Sequence, residues 1–203
     1  MNPAGRLRNG LHYGWIILVV ATLVAFGALG LARFGYSVLL PAMQADLGMG
    51  NTEAGFLATA HVIGYLVASL IGGALASRFG PRRVITVGLA IAGSSMLMTG
   101  LAGDYAEIAL WRGLAGVGSG MSNIPIYGVL AAWFGTRRRG LATGIAVSGA
   151  SVAFIALGPL VPIVLDEFGT LGWRICWYGF GGFTIFLAVT CAWLLRNQPQ
   201  DKG

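Results

Sequence analysis

Apolar residues along this chain gather into six stretches, residues 14–40, 54–76, 84–102, 108–134, 141–165 and 175–195. Each reaches about the 20 residues that a helix needs to cross roughly 30 Å of hydrocarbon. The polar gaps between them alternate in charge. Arg6 and Arg8 precede the first stretch, Asp46 and Glu53 follow it, and Arg78, Arg82 and Arg83 fill the next gap. Asp104 and Glu107 come next, then Arg137, Arg138 and Arg139, then Asp166 and Glu167 with Arg174, and finally Arg196 and Lys202. Cytoplasmic loops near helix ends accumulate Lys and Arg. The alternation therefore predicts an all-α membrane protein of six transmembrane helices with both termini in the cytoplasm. Residues 1–12 then form a cytoplasmic tail, 13–195 a six-helix bundle, and 196–203 a second tail or the start of a linker.

Local signals refine the boundaries. Tyr13 and Trp15 open the first stretch at an interface, where amphipathic rings anchor, and Pro41 marks its outer end. The stretch is too long for a signal-peptide core and reads as an uncleaved first helix. Asn51-Thr52-Glu53 supplies a cap for the second helix, with its acid near the positive helix start. Phe79-Gly80-Pro81-Arg82-Arg83 is echoed by Phe134-Gly135-Thr136-Arg137-Arg138. A helix stop followed by a positive anchor explains that echo as well as duplication does.

Composition narrows the class. Of the 203 residues, 56% are hydrophobic and 10% charged, which leaves short loops and no room for a soluble domain. The net charge of +6 sits in the arginine-rich gaps, so it speaks for orientation and contact with anionic lipid, not for nucleic acid. The 33 glycines cluster inside the apolar stretches, at Gly72-Gly73, 113–120, 140–149 and 179–182. Small residues let membrane helices approach closely, and Gly140 and Gly144 fit the small-xxx-small pattern. Cys176 and Cys191 share the sixth stretch about four turns apart, so no disulfide joins them and both read as packing residues. No metal and no cofactor is expected.

The segment Gly73-Ala74-Leu75-Ala76-Ser77-Arg78-Phe79-Gly80-Pro81-Arg82-Arg83 closely resembles the signature loop of the major facilitator superfamily. Arg112-Gly113-Leu114-Ala115-Gly116-Val117-Gly118-Ser119-Gly120 resembles that family's arginine-glycine motif. Gly158-Pro159, Trp173-Arg174 and the opening His12-Tyr13-Gly14-Trp15 are similar to members that carry organic anions and monocarboxylates. The resemblance spans the chain in order and then stops, which implies the N-terminal six-helix half of a twelve-helix fold, itself a 3+3 inverted repeat. It implies a secondary active transporter of a small solute, an organic anion, working by alternating access in a bacterial inner membrane. Its partners would be the lipid bilayer, the anionic solute, and a second six-helix half or a second copy of this chain. The rival readings are a non-transporting truncated half or pairing subunit, a channel, and an intramembrane enzyme. The channel lacks an obvious re-entrant loop. A serine-histidine enzyme is disfavoured because no histidine follows His61.

In the family the loop's acid locks a cytoplasmic gate. Here Ser77 stands in its place, where it can cap a helix start without supplying charge. Gly80 allows the turn and Gly73 allows close packing, while Arg78, Arg82 and Arg83 complete the gating loop or serve as a solvated positive anchor.

Two arginines lie inside apolar stretches, where charge is costly and marks a functional position by default. Arg33 shares a helical face with Phe26, Gly30 and Ser37. It either snorkels to the outer headgroups or holds an anionic substrate. Arg112, Gly116, Ser119, Asn123 and Tyr127 form one stripe at 4-3-4-4 spacing, which faces a cavity or a neighbour. Asn123 and Tyr127 are expected to complete the substrate wall. The resemblance associates Arg112 with proton coupling; the alternative is a structural pairing with a carboxylate or backbone carbonyls. His61 is the other coupling candidate, weighed against a hydrogen-bonded packing role.

Overall fold

The computed structural model describes residues 4–197, with side chains from Tyr13 onward. Residues 1–3 and 198–203, including Lys202, lie outside the described residues. Helix α1 (Ala4–Ala25) runs without a break into a π-helical segment (Phe26–Phe34) and then α2 (Gly35–Leu47). Next come α3 (Asn51–Phe79), α4 (Pro81–Leu101), α5 (Tyr105–Trp133), α6 (Thr136–Phe168), a 3₁₀ turn (Gly169–Leu171) and α7 (Gly172–Leu194). No strand occurs among the described residues. Four helical stretches are long and apolar enough to cross a membrane, Tyr13–Leu47, Asn51–Phe79, Pro81–Leu101 and Thr136–Leu194, the last of which includes the 3₁₀ turn.

Several expected boundaries moved. Helical backbone is described from Ala4, and the first helix passes through Pro41 to end at Leu47. A proline removes one helical hydrogen bond but does not stop a helix whose neighbouring turns remain bonded. The true stop is Gly48, whose φ of 64° places it in the left-handed region. The N-cap of α3 is Gly50, not Asn51, and the Glu53 carboxylate accepts the Gly50 N–H at 2.5 Å. Asp104 caps α5 by accepting the Glu107 N–H at 2.9 Å, while Glu107 accepts the Gly103 N–H at 3.0 Å. The acids of these gaps thus have a local task at positive helix starts besides any topological one.

Packing rests on close backbone approach. A Cβ at Gly116 of α5 would lie 2.0 Å from the His61 carbonyl of α3, and one at Gly64 would lie 2.2 Å from the Gly113 carbonyl. Gly149 of α6 meets Thr22 of α1 in the same way. Other glycines singled out from sequence have no such neighbour. Nothing lies within 4 Å of a Cβ built at Gly140, Gly144 or Gly73. The close contact expected of Gly73 belongs to Gly72, where a Cβ would lie 3.2 Å from the Met121 Cα. Successive helical residues point about 100° apart, so only one of a glycine pair can face a given neighbour. Cys176 and Cys191 are free and buried on α7, as expected.

Helices α4 and α7 run antiparallel, and each caps the other. Arg82, in the first turn of α4, donates from Nε to the Ala192 carbonyl at 2.9 Å and also from Nη2 to the same oxygen. Arg174, in the first turn of α7, donates from Nη1 to the carbonyls of Gly100 at 3.0 Å and Ala102 at 2.6 Å. Helix C-termini carry unpaired carbonyls and partial negative charge, which a guanidinium satisfies. We expect Arg82→Ala and Arg174→Ala each to lower stability by about 1–2 kcal/mol. The two losses should add in the double variant, because the sites sit at opposite ends of the bundle. Thermal unfolding in detergent measures this.

Candidate functional site in the helical bundle

Arg112 is the one arginine buried among the described residues. It is 1% exposed, and its Nη1 donates to the Ala32 carbonyl at 2.6 Å. Its guanidinium lies over the ring of Tyr36 at 4.4 Å and that of Trp177 at 5.4 Å. Tyr36 is itself held by its hydroxyl on the Ala54 carbonyl at 2.8 Å. Of the two structural pairings expected for Arg112, the structure shows the backbone carbonyl. Two aromatic faces supply the remaining stabilisation, since ring quadrupoles attract a desolvated cation. Gly116 and Ser119 of the same stripe are buried with it, so this part of the stripe faces neighbouring helices.

Asn123 and Tyr127 do come together, with a third residue that sequence reasoning missed. Asn123 Nδ2 donates to the Tyr65 hydroxyl at 3.0 Å, and the Tyr127 hydroxyl donates to Asn123 Oδ1 at 3.3 Å. Tyr65 is half-buried on α3. Its register four residues after His61 was the available signal, since both then face α5 across the glycine seam. His61 is 1% exposed and neither ring nitrogen has a partner among the described residues. It is therefore a packed side chain without the hydrogen bonds expected of it.

Arg33 is exposed, as is Ser37 one turn on, but Gly30 is buried against Ala153 of α6. Of the expected common face of Phe26, Gly30, Arg33 and Ser37, Phe26 is half-buried and Gly30 alone is buried. These residues span the π-helical segment, in which the Gly35 N–H bonds the Gly30 carbonyl five residues back. An i→i+5 bond widens the turn and turns the following residues off the α register.

At the basic end, Gly80 makes the turn between α3 and α4 with φ of 88°, and Pro81 follows at the first position of α4. Ser77 lies inside α3 and donates to the Ala74 carbonyl at 2.8 Å, so it caps no helix start. Arg78 lies over the Phe79 ring at 5.4 Å. The Arg82 N–H donates to Asn197 Oδ1 at 2.8 Å, which ties the loop to the chain just beyond α7. Tyr13 and Trp133 reach the same end, on the carbonyls of Leu194 at 2.7 Å and Arg196 at 3.2 Å. A cleft of about 650 Å³ lies beside the turn, bordered by Gly73, Ser77, Gly80, Gly128 and Asn197. At the other end, Trp173 Nε1 donates to Asp46 Oδ2 at 2.9 Å, which ties α7 to α2, and Arg174 caps α4.

The family model described as Major Facilitator Superfamily matches residues 18–203. The chain belongs to this family. It is 27% identical over 190 residues to a probable sulfoacetate transporter of Cupriavidus necator, covering 93% of this chain and 43% of that protein. It is 29% identical to human monocarboxylate transporter 11, covering 95% of this chain and 40% of the relative. A probable L-galactonate transporter of Escherichia coli is 30% identical over 98% of this chain and 44% of its own length. Among solved structures, an inward-facing, occupied bacterial homologue of the lysosomal transporter Spinster superposes with a TM-score of 0.80 at 18% identity, covering 92% of this chain and 45% of that one. The inward-open xylose transporter XylE of E. coli gives a TM-score of 0.77 at 17% identity, covering 92% of this chain and 49% of that one. These superpositions carry the fold. The chain spans less than half the length of these relatives, all of them transport proteins and none an enzyme. With its long apolar helices, family membership makes this an integral membrane protein.

Proposed function

We propose that this chain is the first six-helix half of a secondary transporter for a small organic anion, working by alternating access. A second six-helix half or a second copy completes the cavity, and both termini face the cytoplasm of a bacterial inner membrane. The observation that carries the reading is Arg33, an exposed guanidinium within an apolar helix. A cation at such depth is costly unless a water-filled cavity or an anion compensates it. Arg112 donates to the carbonyl of the preceding residue, Ala32, so a second guanidinium lies close to the same segment and an anion there meets positive potential. The Tyr65–Asn123–Tyr127 network supplies neutral donors and acceptors for the rest of the solute wall. The names of the sulfoacetate and monocarboxylate relatives support the same chemical class.

The gating loop, Gly73, Ser77, Arg78, Gly80, Arg82 and Arg83, has its basic groups committed within this half at Arg82 and leaves Arg78 and Arg83 for the partner half. Arg112 and His61 remain the candidates for coupling. The test is ligand-induced thermal stabilisation of the assembled transporter, screened across carboxylates, sulfonates, phosphates and neutral sugars. Stabilisation by carboxylates or sulfonates and not by sugars is the expected result. Stabilisation by neutral sugars alone overturns the anion assignment.

A further inference from the structure

We propose that Arg112 is a positioning residue: by holding the Ala32 carbonyl it keeps the first membrane helix in its π register, and so decides the direction of the adjacent Arg33. Three observations converge on this point. The π segment ends at Phe34, and Ala32 lies in its last turn, directly before Arg33. The contact to its carbonyl comes from a guanidinium that is fully packed between Tyr36 and Trp177 and leaves Nε unpartnered among the described residues. The segment also borders open space, a cleft of about 390 Å³ in which Phe26 and Leu31 face Ala153, Leu157, Phe180 and Phe183. A π turn spaces its backbone bonds less favourably than an α turn and persists where an outside contact holds it. Arg112 is such a contact, and the cleft gives the segment room to rewind.

Rewinding has a definite geometric result. One residue of an α-helix subtends about 100°, so return to the α register turns everything after the segment by about that angle. Arg33 then moves to the present place of half-buried Phe34, which packs edge-to-face on Phe154 of α6. Tyr36 moves to the present place of exposed Ser37 and leaves the Arg112 guanidinium. Two arginines from different helices are thereby coupled through one backbone carbonyl. The significance for a solute rests on the reading of Arg33 above; the change of register does not.

The experiment uses the whole 203-residue chain in lipid nanodiscs with Cys176→Ala and Cys191→Ala. Nitroxide labels are placed one at a time at residues 36–45, and the oxygen collision rate is read at each. With Arg112 present the maxima fall at Ser37, Pro41 and Ala45, the exposed positions. In Arg112→Met they move by one residue, onto Tyr36, Leu40 and Gln44, and Arg112→Lys, which keeps a donor and the charge, restores the original phase. Deleting Leu29 removes the extra residue of the π turn, so the maxima stay at Ser37 and Pro41 whether residue 112 is Arg or Met. An unchanged phase in Arg112→Met overturns the proposal and leaves the anion reading standing. If Arg112→Met fails to fold, its combination with the Leu29 deletion must recover a folded chain with the original phase. Failure of that combination also overturns the proposal. Loss of anion stabilisation in Arg33→Ala, with the phase unchanged, tests the anion reading by itself.

Discussion

Gly116→Ala destabilises the bundle by at least about 3 kcal/mol, the upper part of the range for overpacking, while Gly140→Ala leaves it unchanged or up to about 1 kcal/mol more stable. Both substitutions add the same methyl group to a glycine inside a long helix. At Gly116 that methyl would sit 2.0 Å from the His61 carbonyl oxygen, well inside contact distance, and 3.0 Å from the Tyr65 nitrogen. These are backbone atoms of α3 and cannot swing aside as a flexible side chain would. Helices α3 and α5 must separate, and the separation pulls apart the buried Ala115, Ser119 and Leu57 around the seam. It also stretches the Asn123–Tyr65 hydrogen bond. At Gly140 nothing lies within 4 Å, so the methyl meets only lipid or solvent and the intrinsic helix preference of alanine decides the sign. Thermal unfolding of the two variants in detergent checks the contrast. Equal melting temperatures would show that α3 and α5 have room for the added methyl.

Arg33→Ala weakens binding of the anion to the assembled transporter by about 3 kcal/mol, roughly a hundredfold in Kd. A charge-assisted hydrogen bond lies at the strong end of the range, and a carboxylate or sulfonate meets the guanidinium through two parallel N–H donors. Arg33→Lys keeps the charge, loses the planar fork, and falls between the two. Neither variant is expected to reduce the amount of folded protein. Removing a charge from an apolar helix eases insertion by up to about 2.5–3.5 kcal/mol, and the exposed side chain has little packing to lose. Thermal shift against a titrated carboxylate measures both Kd values. An unchanged Kd in Arg33→Ala would make Arg33 a snorkelling anchor and remove the basis for the anion assignment. The selectivity of the effect matters as much as its size, because a general loss of fold would shift the melting temperature without ligand.

Much of this molecule was legible along the chain because helical structure and its interruptions depend on neighbours in sequence. The Gly80 turn followed by Pro81 and the break at Phe134-Gly135 before α6 emerged where local pattern placed them, and four helical stretches have the length and apolarity to cross a membrane. The loop and arginine-glycine motifs pointed to the family that the whole-chain match then showed. Pro41 misled because a proline weakens a helix by one bond, whereas the glycine at residue 48 ends it through a left-handed turn.

What tertiary structure decided is a matter of which surfaces meet. The spacing of Arg112, Gly116, Ser119, Asn123 and Tyr127 put them on one stripe, but only the packed bundle divided that stripe into a buried cation cage and a tyrosine–asparagine network. Gly72 and Gly73 are equivalent in sequence, yet one faces Met121 and the other faces open space, because the orientation of α3 about its axis is set by α5. Arg82 stands in a loop read as a gate or a solvated anchor and Arg174 in an acidic gap, and only the folded bundle shows that each satisfies the carbonyl end of a helix far away in sequence. The direction of Arg33 shows the division most clearly. Its presence at depth follows from the order of residues alone, while it stands in a nine-residue π segment that closes with a bond from Gly35 to Gly30 and is touched at Ala32 by a guanidinium 80 residues further along. A helix repeats by bonds among near neighbours, so sequence reaches its pattern; a departure from that repeat is held by remote contacts, and only the folded bundle supplies them.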